Sequence, residues 1–98
     1  MIDKIDSLLV DLAKMNLRNT SQLLMLLELG RNQFATMKIL AKAGKVTTAA
    51  TTGAVDVMEK AGLVTRRQGL DRRVFIVELS DKGEAFMSKH GLLESVPA

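Results

Sequence analysis

The chain has 98 residues, of which 47% are hydrophobic, and a net charge of +3. This length and composition suit a single domain, residues 1–98, with one modest core. With no cysteine and a single histidine, the sequence offers no disulfide, no thiol nucleophile and no cysteine-based zinc site. We expect neither a metal nor a cofactor, and no apolar run approaches the roughly 20 residues of a membrane helix.

The first segment, residues 1–18, has the pattern of an amphipathic helix, because its apolar residues recur at spacings of three and four. Acidic residues within this pattern are untypical of a signal peptide, so we expect a cytoplasmic protein. The apolar stripe could pack on its own domain or on a second subunit, and we favour the second. The residues expected to form the contacts of a homodimer are Ile2, Ile5, Leu9 and Leu12.

Residues 20–29 (TSQLLMLLEL) predict a second helix, which is apolar on most sides and is therefore expected at the centre of the core. Thr20 or Ser21 is the predicted N-cap of this helix, and Gly30 is predicted to end it. Residues 33–35 are predicted to be a short extended link.

Residues 36–61 fit a helix-turn-helix, which needs two helices joined by a tight turn. Thr36 is predicted to cap a short third helix, which Gly44 ends in a left-handed conformation. Thr47 or Thr48 is predicted to cap a fourth helix that runs to the end of this segment. The inward positions of the fourth helix are predicted to be Thr51, Val55 and Met58.

Residues 63–79 change to the pattern of two strands, LVTRR and RVFIVEL, which a short loop separates after Gly62 has ended the fourth helix. Ser80 is predicted to cap a fifth helix, residues 80–91, with Phe86 and Met87 facing inward. The order of elements predicts a mainly α fold with a small β-hairpin. We interpret it as a winged helix-turn-helix with a three-helix core, a wing and extra N-terminal and C-terminal helices.

Positive charge is concentrated in the middle of the chain, since residues 45–73 carry six basic and three acidic residues, whereas 74–98 carry two basic and four acidic residues. A solvated face is the simpler interpretation of such a cluster. The preceding helix pair favours duplex DNA as the partner, because arginines on a hairpin beside a groove-binding helix reach phosphates or the minor groove. The predicted DNA-binding residues are Thr47, Thr48, Ala49, Thr51, Thr52, Gly53, Arg66, Arg67, Arg72 and Arg73.

No catalytic arrangement is visible, so we do not expect an enzyme. The AGKVTT stretch lacks the upstream glycine of a phosphate-binding loop, and Val46 stands where such a loop needs Ser or Thr. His90 has no relay partner in the sequence and is predicted to be an ordinary surface residue.

The hairpin resembles the wing signature of the MarR family of winged-helix transcription regulators, D-x-R-x₅-L-[TS] and a short step to Gly. Here it reads Asp71-x-Arg73, five residues, Leu79-Ser80 and Gly83. The stretch MEKAGLV followed by Arg66 is similar to the family's L-E-x-x-G-L-[VI]-x-R segment. The resemblance implies a dimeric regulator of near-palindromic duplex DNA, with Arg73 as the wing arginine and Asp71 as the residue that orients it.

Two features differ from the family's usual pattern. Members continue into long C-terminal helices that build the dimer and often an effector pocket, whereas fifteen residues follow Gly83 here. We therefore expect the N-terminal helix to supply the dimer contacts, and we expect no small-molecule effector. The exposed part of residues 47–56 offers hydroxyl and methyl groups but no Arg, Asn or Gln, so the strong two-pronged base contacts are missing. The alternative function is a winged-helix module for protein contact without DNA binding, in which the N-terminal helix is the docking surface.

Overall fold

The computed structural model describes residues 2–17 and 19–93, and for residues 2–4 the main chain alone. The described residues form five helices and three strands, a winged helix-turn-helix as the sequence predicted. None of these helices is both long and apolar enough to cross a membrane. The elements are α1 (Ile2–Lys14), α2 (Thr20–Asn32), β1 (Phe34–Thr36), α3 (Met37–Gly44), α4 (Thr48–Lys60), β2 (Val64–Gln68), β3 (Phe75–Leu79) and α5 (Asp81–Lys89).

Polar side chains cap the first turns of four helices. The hydroxyls of Thr36, Thr47 and Ser80 accept hydrogen bonds from main-chain N–H groups in the first turns of α3, α4 and α5. These caps confirm the prediction for α3 and α5 and decide between the two candidates for α4. The predicted cap of α2 was wrong, because Asn19 holds that position and accepts from the N–H of Gln22 at 3.1 Å. An amide oxygen one residue earlier serves as well as a hydroxyl.

Of the two glycines that were predicted to end α2 and α3, Gly44 does so and Gly30 does not, and the left-handed residue after each helix is not a glycine. Helix α2 continues through Gly30, and Gln33 adopts the left-handed conformation with φ of 69°. Gly44 is the last residue of α3, and Lys45 is left-handed with φ of 59°. A Cβ atom on Gly44 would lie 2.7 Å from the Cε atom of Met25, which is the end of a flexible side chain, and 3.2 Å from the main-chain oxygen of Ser21. The small size of glycine, rather than its backbone freedom, suits this contact between α3 and α2.

The sheet has three strands, one more than the predicted hairpin. The segment predicted as an extended link contains β1, which pairs antiparallel with β3 and gives the order β1-β3-β2. Ala35 pairs with Val77 between β1 and β3, and Val77 pairs with Arg66 between β3 and β2. A strand of three residues shows no clear alternation in sequence, which is why its pairing was missed.

Helix α2 lies at the centre of the hydrophobic core, as its sequence predicted, with Met25 and Leu29 fully buried. Helix α4 contributes Thr51, Val55 and Met58, whose exposed fraction is 0%. These three positions confirm the predicted inward face of α4. The core therefore holds α4 from one side and leaves the other side of its N-terminal half in solvent.

Residues of the wing signature form hydrogen bonds and close contacts where the end of α4 meets the start of the wing. Gly62 is left-handed with φ of 82°, and the N–H of Leu63 donates to the carbonyl of Met58 at 3.0 Å. The N–H of Ser80 donates to the carbonyl of Leu63 at 2.9 Å, and the hydroxyl of Ser80 donates to the carbonyl of Gly62. A Cβ atom on Gly83 would lie 1.9 Å from the carbonyl oxygen of Leu63, so only glycine fits where α5 begins.

Helix α5 is tied to α1 by a buried histidine, contrary to the prediction that His90 is an ordinary surface residue. Its side chain is 5% exposed, and Nε2 lies 3.1 Å from Oδ2 of Asp11. The ring packs on Phe86 with the centroids 4.7 Å apart. Lys89 donates to the same carboxylate at 3.2 Å, and this hydrogen bond, with the one to His90, lowers the pKa of Asp11 despite the opposing effect of burial.

Candidate nucleic-acid interface

A cleft of about 540 Å³ separates the N-terminal halves of α3 and α4 from the wing. Its lining combines apolar side chains with side chains that carry hydroxyl or cationic groups. The residues that line it are Thr36, Met37, Lys38, Thr48, Thr52, Arg66, Arg73, Val74 and Phe75. The cleft brings the predicted groove-facing helix and the predicted wing arginines to one surface, although they come from distant parts of the sequence.

The exposed face of α4 contains most of the predicted contact residues. Thr48, Ala49, Thr52 and Gly53 are all exposed, and their spacing places them on one side of the helix. A Cβ atom on Gly53 would meet nothing within 4 Å. Thr47 is exposed at the N-cap, where its hydroxyl accepts from the N–H of Ala50 at 3.1 Å. This surface is uncharged.

Thr51 is a correction to the predicted set of DNA-binding residues. Its side chain is 0% exposed, and its hydroxyl donates to the carbonyl oxygen of Thr47 at 2.9 Å. A residue that is enclosed by the core cannot touch a ligand on the surface. The sequence predicted Thr51 both as an inward position with Val55 and Met58 and as a groove contact with Thr47 and Thr48. Its burial shows that it belongs with the inward pair.

The four arginines of the hairpin separate into different environments. Arg66 and Arg73 line the cleft, whereas Arg67 is next to Arg66 on β2 and therefore points to the opposite face of the sheet. There Nε of Arg67 donates to Oε1 of Glu78 at 2.8 Å. Arg72 is exposed in the loop between the strands. Arg67 is thus outside the cleft, which weakens its assignment as a DNA contact.

Asp71 shapes the tip of the wing and contacts Arg73. Its Oδ1 atom accepts from the main-chain N–H of Arg73 at 3.0 Å, which is the local bond of an Asx turn. The two side-chain contacts to the guanidinium are longer, 3.4 Å from Nε and 3.5 Å from Nη2. The strongest bond of Asp71 therefore fixes the main chain, and the pair with the 91% exposed side chain of Arg73 is looser. The role of this pair in DNA binding stays a prediction.

Arg66 is held by two carboxylates of α4. Its Nη2 atom lies 2.8 Å from Oδ1 of Asp56 and 2.8 Å from Oε1 of Glu59. The hydrogen bond to Glu59 is the main reason that the pKa of Arg66 is raised above its usual value. The side chain is 28% exposed, far less than that of Arg73. Sequence reasoning treated Arg66 as one more exposed cation and missed its two partners.

Lys38 and Thr36 are cleft residues that were not predicted as part of the site. Lys38 is exposed in the first turn of α3, and Thr36 caps that helix. The signal that could have found them is their position at the start of the first helix of the motif, which borders the same groove as the second.

The predicted dimer contacts on helix α1 differ in their exposure. Ile5 and Leu9 are each 52% exposed, and Val10, which was not predicted, is 43% exposed. Leu12 is buried in the core of its own chain and is 4% exposed, so its assignment to a dimer contact was wrong. The side chain of Ile2 lies outside the described residues.

The fold and the cleft define a winged helix-turn-helix protein. The model of the MarR family matches residues 16–74, which include α2, the helix-turn-helix and β2. The chain therefore belongs to the MarR family. No curated protein sequence gives a significant match.

Solved structures agree with this assignment. The transcriptional regulator BldR from Sulfolobus solfataricus is 34% identical with a TM-score of 0.69, over 89% of this chain and 63% of BldR. NadR in complex with 4-hydroxyphenylacetate is 25% identical with a TM-score of 0.71, over 92% of this chain and 67% of NadR. Overoxidized AbfR bound to DNA is 23% identical with a TM-score of 0.71, over 82% of this chain and 59% of AbfR. The chain thus spans about three fifths to two thirds of the length of these proteins.

Proposed function

We propose that this chain is a sequence-specific transcription regulator that binds double-stranded DNA as a homodimer. The observation that carries the proposal is the cleft, in which an exposed helix face and a wing arginine border one surface. AbfR, whose fold is similar, has been solved bound to DNA, which supports the same class of partner here.

The N-terminal half of α4 enters the major groove in this proposal. Thr48, Ala49, Thr52 and Gly53 are exposed and small, so the helix can approach the base edges closely. Threonine methyl groups pack on thymine methyl groups, and hydroxyls bond to bases or phosphates. The N-terminus of α4 adds the partial positive charge of its free N–H groups, which favours a phosphate beside Thr47.

The wing supplies most of the electrostatic attraction. Arg73 projects from the cleft wall with a side chain that is 91% exposed, and Arg72 precedes it in the loop. Such side chains can pair with phosphates or enter a narrow minor groove, where the negative potential is strongest. Lys38 extends the cationic rim on the opposite wall of the cleft.

The homodimer is proposed to form through α1. Ile5, Leu9 and Val10 are large aliphatic residues that remain 43–52% exposed. Two copies that pair through α1 would present two clefts related by a two-fold axis, which is the geometry that reads a near-palindromic site.

Selection of bound duplexes from a random library tests this proposal, together with the mass of the resulting complex. We expect a two-fold symmetric site and a mass of two chains per duplex. A titration at low salt that shows no binding to any duplex would overturn the DNA-binding proposal. An asymmetric site occupied by one chain would overturn the homodimer.

The Arg73→Ala variant tests the wing. We expect its affinity to fall about tenfold on all duplexes, with the salt slope reduced by about 1, because one phosphate contact is lost. The matched control is Lys14→Ala, which removes one positive charge from the exposed surface of α1. Equal losses in the two variants would mean that net charge alone, rather than the wing, determines the affinity.

A further inference from the structure

The contact between Arg66 and α4 lies where the wing leaves the body of the molecule. Val64 at the start of β2 is buried in the core, and Arg66 lies two residues later on the same face of the sheet. Beyond Arg66, the open cleft separates α4 from the wing, with Thr52 on one wall and Arg73 on the other. The ion pairs of Arg66 are therefore the outermost described link between α4 and β2.

We propose that Arg66 is a positioning residue for DNA binding, which braces the wing against α4 and so sets the distance between the helix and Arg73. This inference rests on the proposed function and changes the role that the sequence predicted for Arg66. Its guanidinium bonds to carboxylates on two successive turns of α4, Asp56 and Glu59, both at 2.8 Å. Two anchor points restrict the rotation of a side chain, and of the strand that carries it, more than one does.

The length of the wing makes this restraint important. The loop tip lies about four residues beyond Arg66, or roughly 13 Å at the rise of an extended strand. A rotation of about 10° at Arg66 would then move the tip by about 2 Å, which is enough to break a hydrogen bond between Arg73 and a phosphate. Small changes in the ion pairs of Arg66 should therefore weaken the contact between Arg73 and DNA.

If Asp56 and Glu59 acted through their charge alone, removing them would strengthen DNA binding, whereas the brace predicts weaker binding. This difference in sign makes the proposal testable. Asp56 and Glu59 continue along α4 beyond Thr52 towards its C-terminal end, and their negative charges repel DNA. Neutralising them should strengthen binding if they do nothing else. It should weaken binding if they hold the wing in place.

The test is the double variant Asp56→Asn with Glu59→Gln, measured against a duplex that the wild type binds. We expect about threefold weaker binding, in the range that exposed ion pairs contribute. The matched control is Glu78→Gln, which removes a negative charge from the ion pair with Arg67 on the other face of the sheet. It should leave the affinity unchanged or raise it. Unchanged or tighter binding by the double variant, with a normal thermal unfolding midpoint, would overturn the brace.

A second measurement needs no DNA and separates failure of the brace from failure of the proposed function. The chain has no cysteine, so spin labels can be placed on Ala50→Cys in α4 and Leu70→Cys at the tip, both of which are exposed. The distribution of label distances should broaden when Asp56 and Glu59 are neutralised, and should not change with Glu78→Gln. An identical distribution in the neutralised protein would overturn the brace even if the wild type bound no duplex at all.

Discussion

The cleft and the exposed side of α1 present different chemical groups to solvent. The cleft presents threonine hydroxyls and guanidinium groups, whereas α1 presents Ile5, Leu9 and Val10. Both surfaces belong to amphipathic helices whose other side is in the core. This difference fits the two partners that we propose, which are a polyanion for the cleft and the apolar surface of a second copy for α1.

Salt should distinguish the two surfaces, because it screens the attraction to phosphates but not the burial of aliphatic side chains. Four substitutions test this contrast, and their expected effects range from loss of fold stability to a small change that depends on pH.

The Gly83→Ala variant should damage both surfaces, because it disturbs the fold itself. The new Cβ atom would lie 1.9 Å from the main-chain oxygen of Leu63, and main chain cannot yield as a flexible side chain can. We expect the free energy of unfolding to fall by about 3 kcal/mol, measured by urea denaturation. Gly53→Ala is the control, because its Cβ atom meets nothing within 4 Å. It should stabilise the helix by about 0.5–1 kcal/mol, and equal destabilisation of the two variants would contradict the close approach at Gly83.

The Leu9→Asp variant should affect only the α1 surface. Leu9 is 52% exposed, so a charge there does not enter the core, but it would be buried in a dimer. We expect dimerisation to weaken by about 2 kcal/mol, or roughly thirtyfold, measured by analytical ultracentrifugation. Ser7→Asp, at another exposed position of α1, is the control for added charge. If both variants dimerise as the wild type does, the contact lies elsewhere.

The Gly53→Lys variant should affect only the cleft, by adding a cation to the uncharged face of α4. Space is available there, since a Cβ atom at Gly53 has no neighbour within 4 Å. We expect duplex affinity at low salt to rise about fivefold, or about 1 kcal/mol, with a salt slope steeper by about 1. Gly53→Gln provides a long side chain without the charge. Weaker binding by both variants would show that Gly53 is needed for close approach of the helix to DNA.

The Asp11→Asn variant should have the smallest effect and a distinctive pH dependence. Hydrogen bonds from Lys89 and His90 lower the pKa of Asp11, so the folded protein binds a proton there less readily than the unfolded chain does. The stabilisation is therefore present above the unfolded pKa of about 3.9 and is lost as the pH falls through the folded pKa. We expect the variant to unfold at a lower temperature than the wild type at pH 6, with the difference vanishing in strong acid. A difference that stays constant down to the lowest pH would contradict this.

Residues whose role depends on near neighbours in the chain could be identified from the sequence. The caps Thr36 and Ser80, the end of α4 before Gly62 and the inward face of α4 were all predicted, because a cap, a helix end or a helical stripe depends on neighbours within four positions. The wing signature also includes Ser80 and Gly83, but it does not show why these two residues are needed. That reason is the contact with Leu63, which is distant in sequence.

Residues whose environment depends on distant elements could not be predicted. Thr51 was predicted both as an inward position of α4 and as a DNA contact, and only the packing decides between the two: it is buried, whereas the adjacent Thr52 lines the cleft. Arg66 and Arg67 are adjacent arginines, yet one is bound by α4 and the other by Glu78 on the far side of the sheet. In each pair the two residues are of the same type, and only the direction in which their side chains point differs.

The sequence alone thus predicted the class of fold, the order of the five helices and the hairpin, and the kinds of chemical group on the α4 and wing surfaces, because each follows from short-range periodicity and residue type. Which of those groups remain in solvent depends on the tertiary packing. The packing buries Leu12 and the side chain of His90, excludes Thr51 from the DNA-facing surface, pairs Arg66 with α4, and leaves Arg73 exposed at the cleft. Burial and ion pairing depend on how α4, the sheet and α1 meet in space, and no local pattern contains that information.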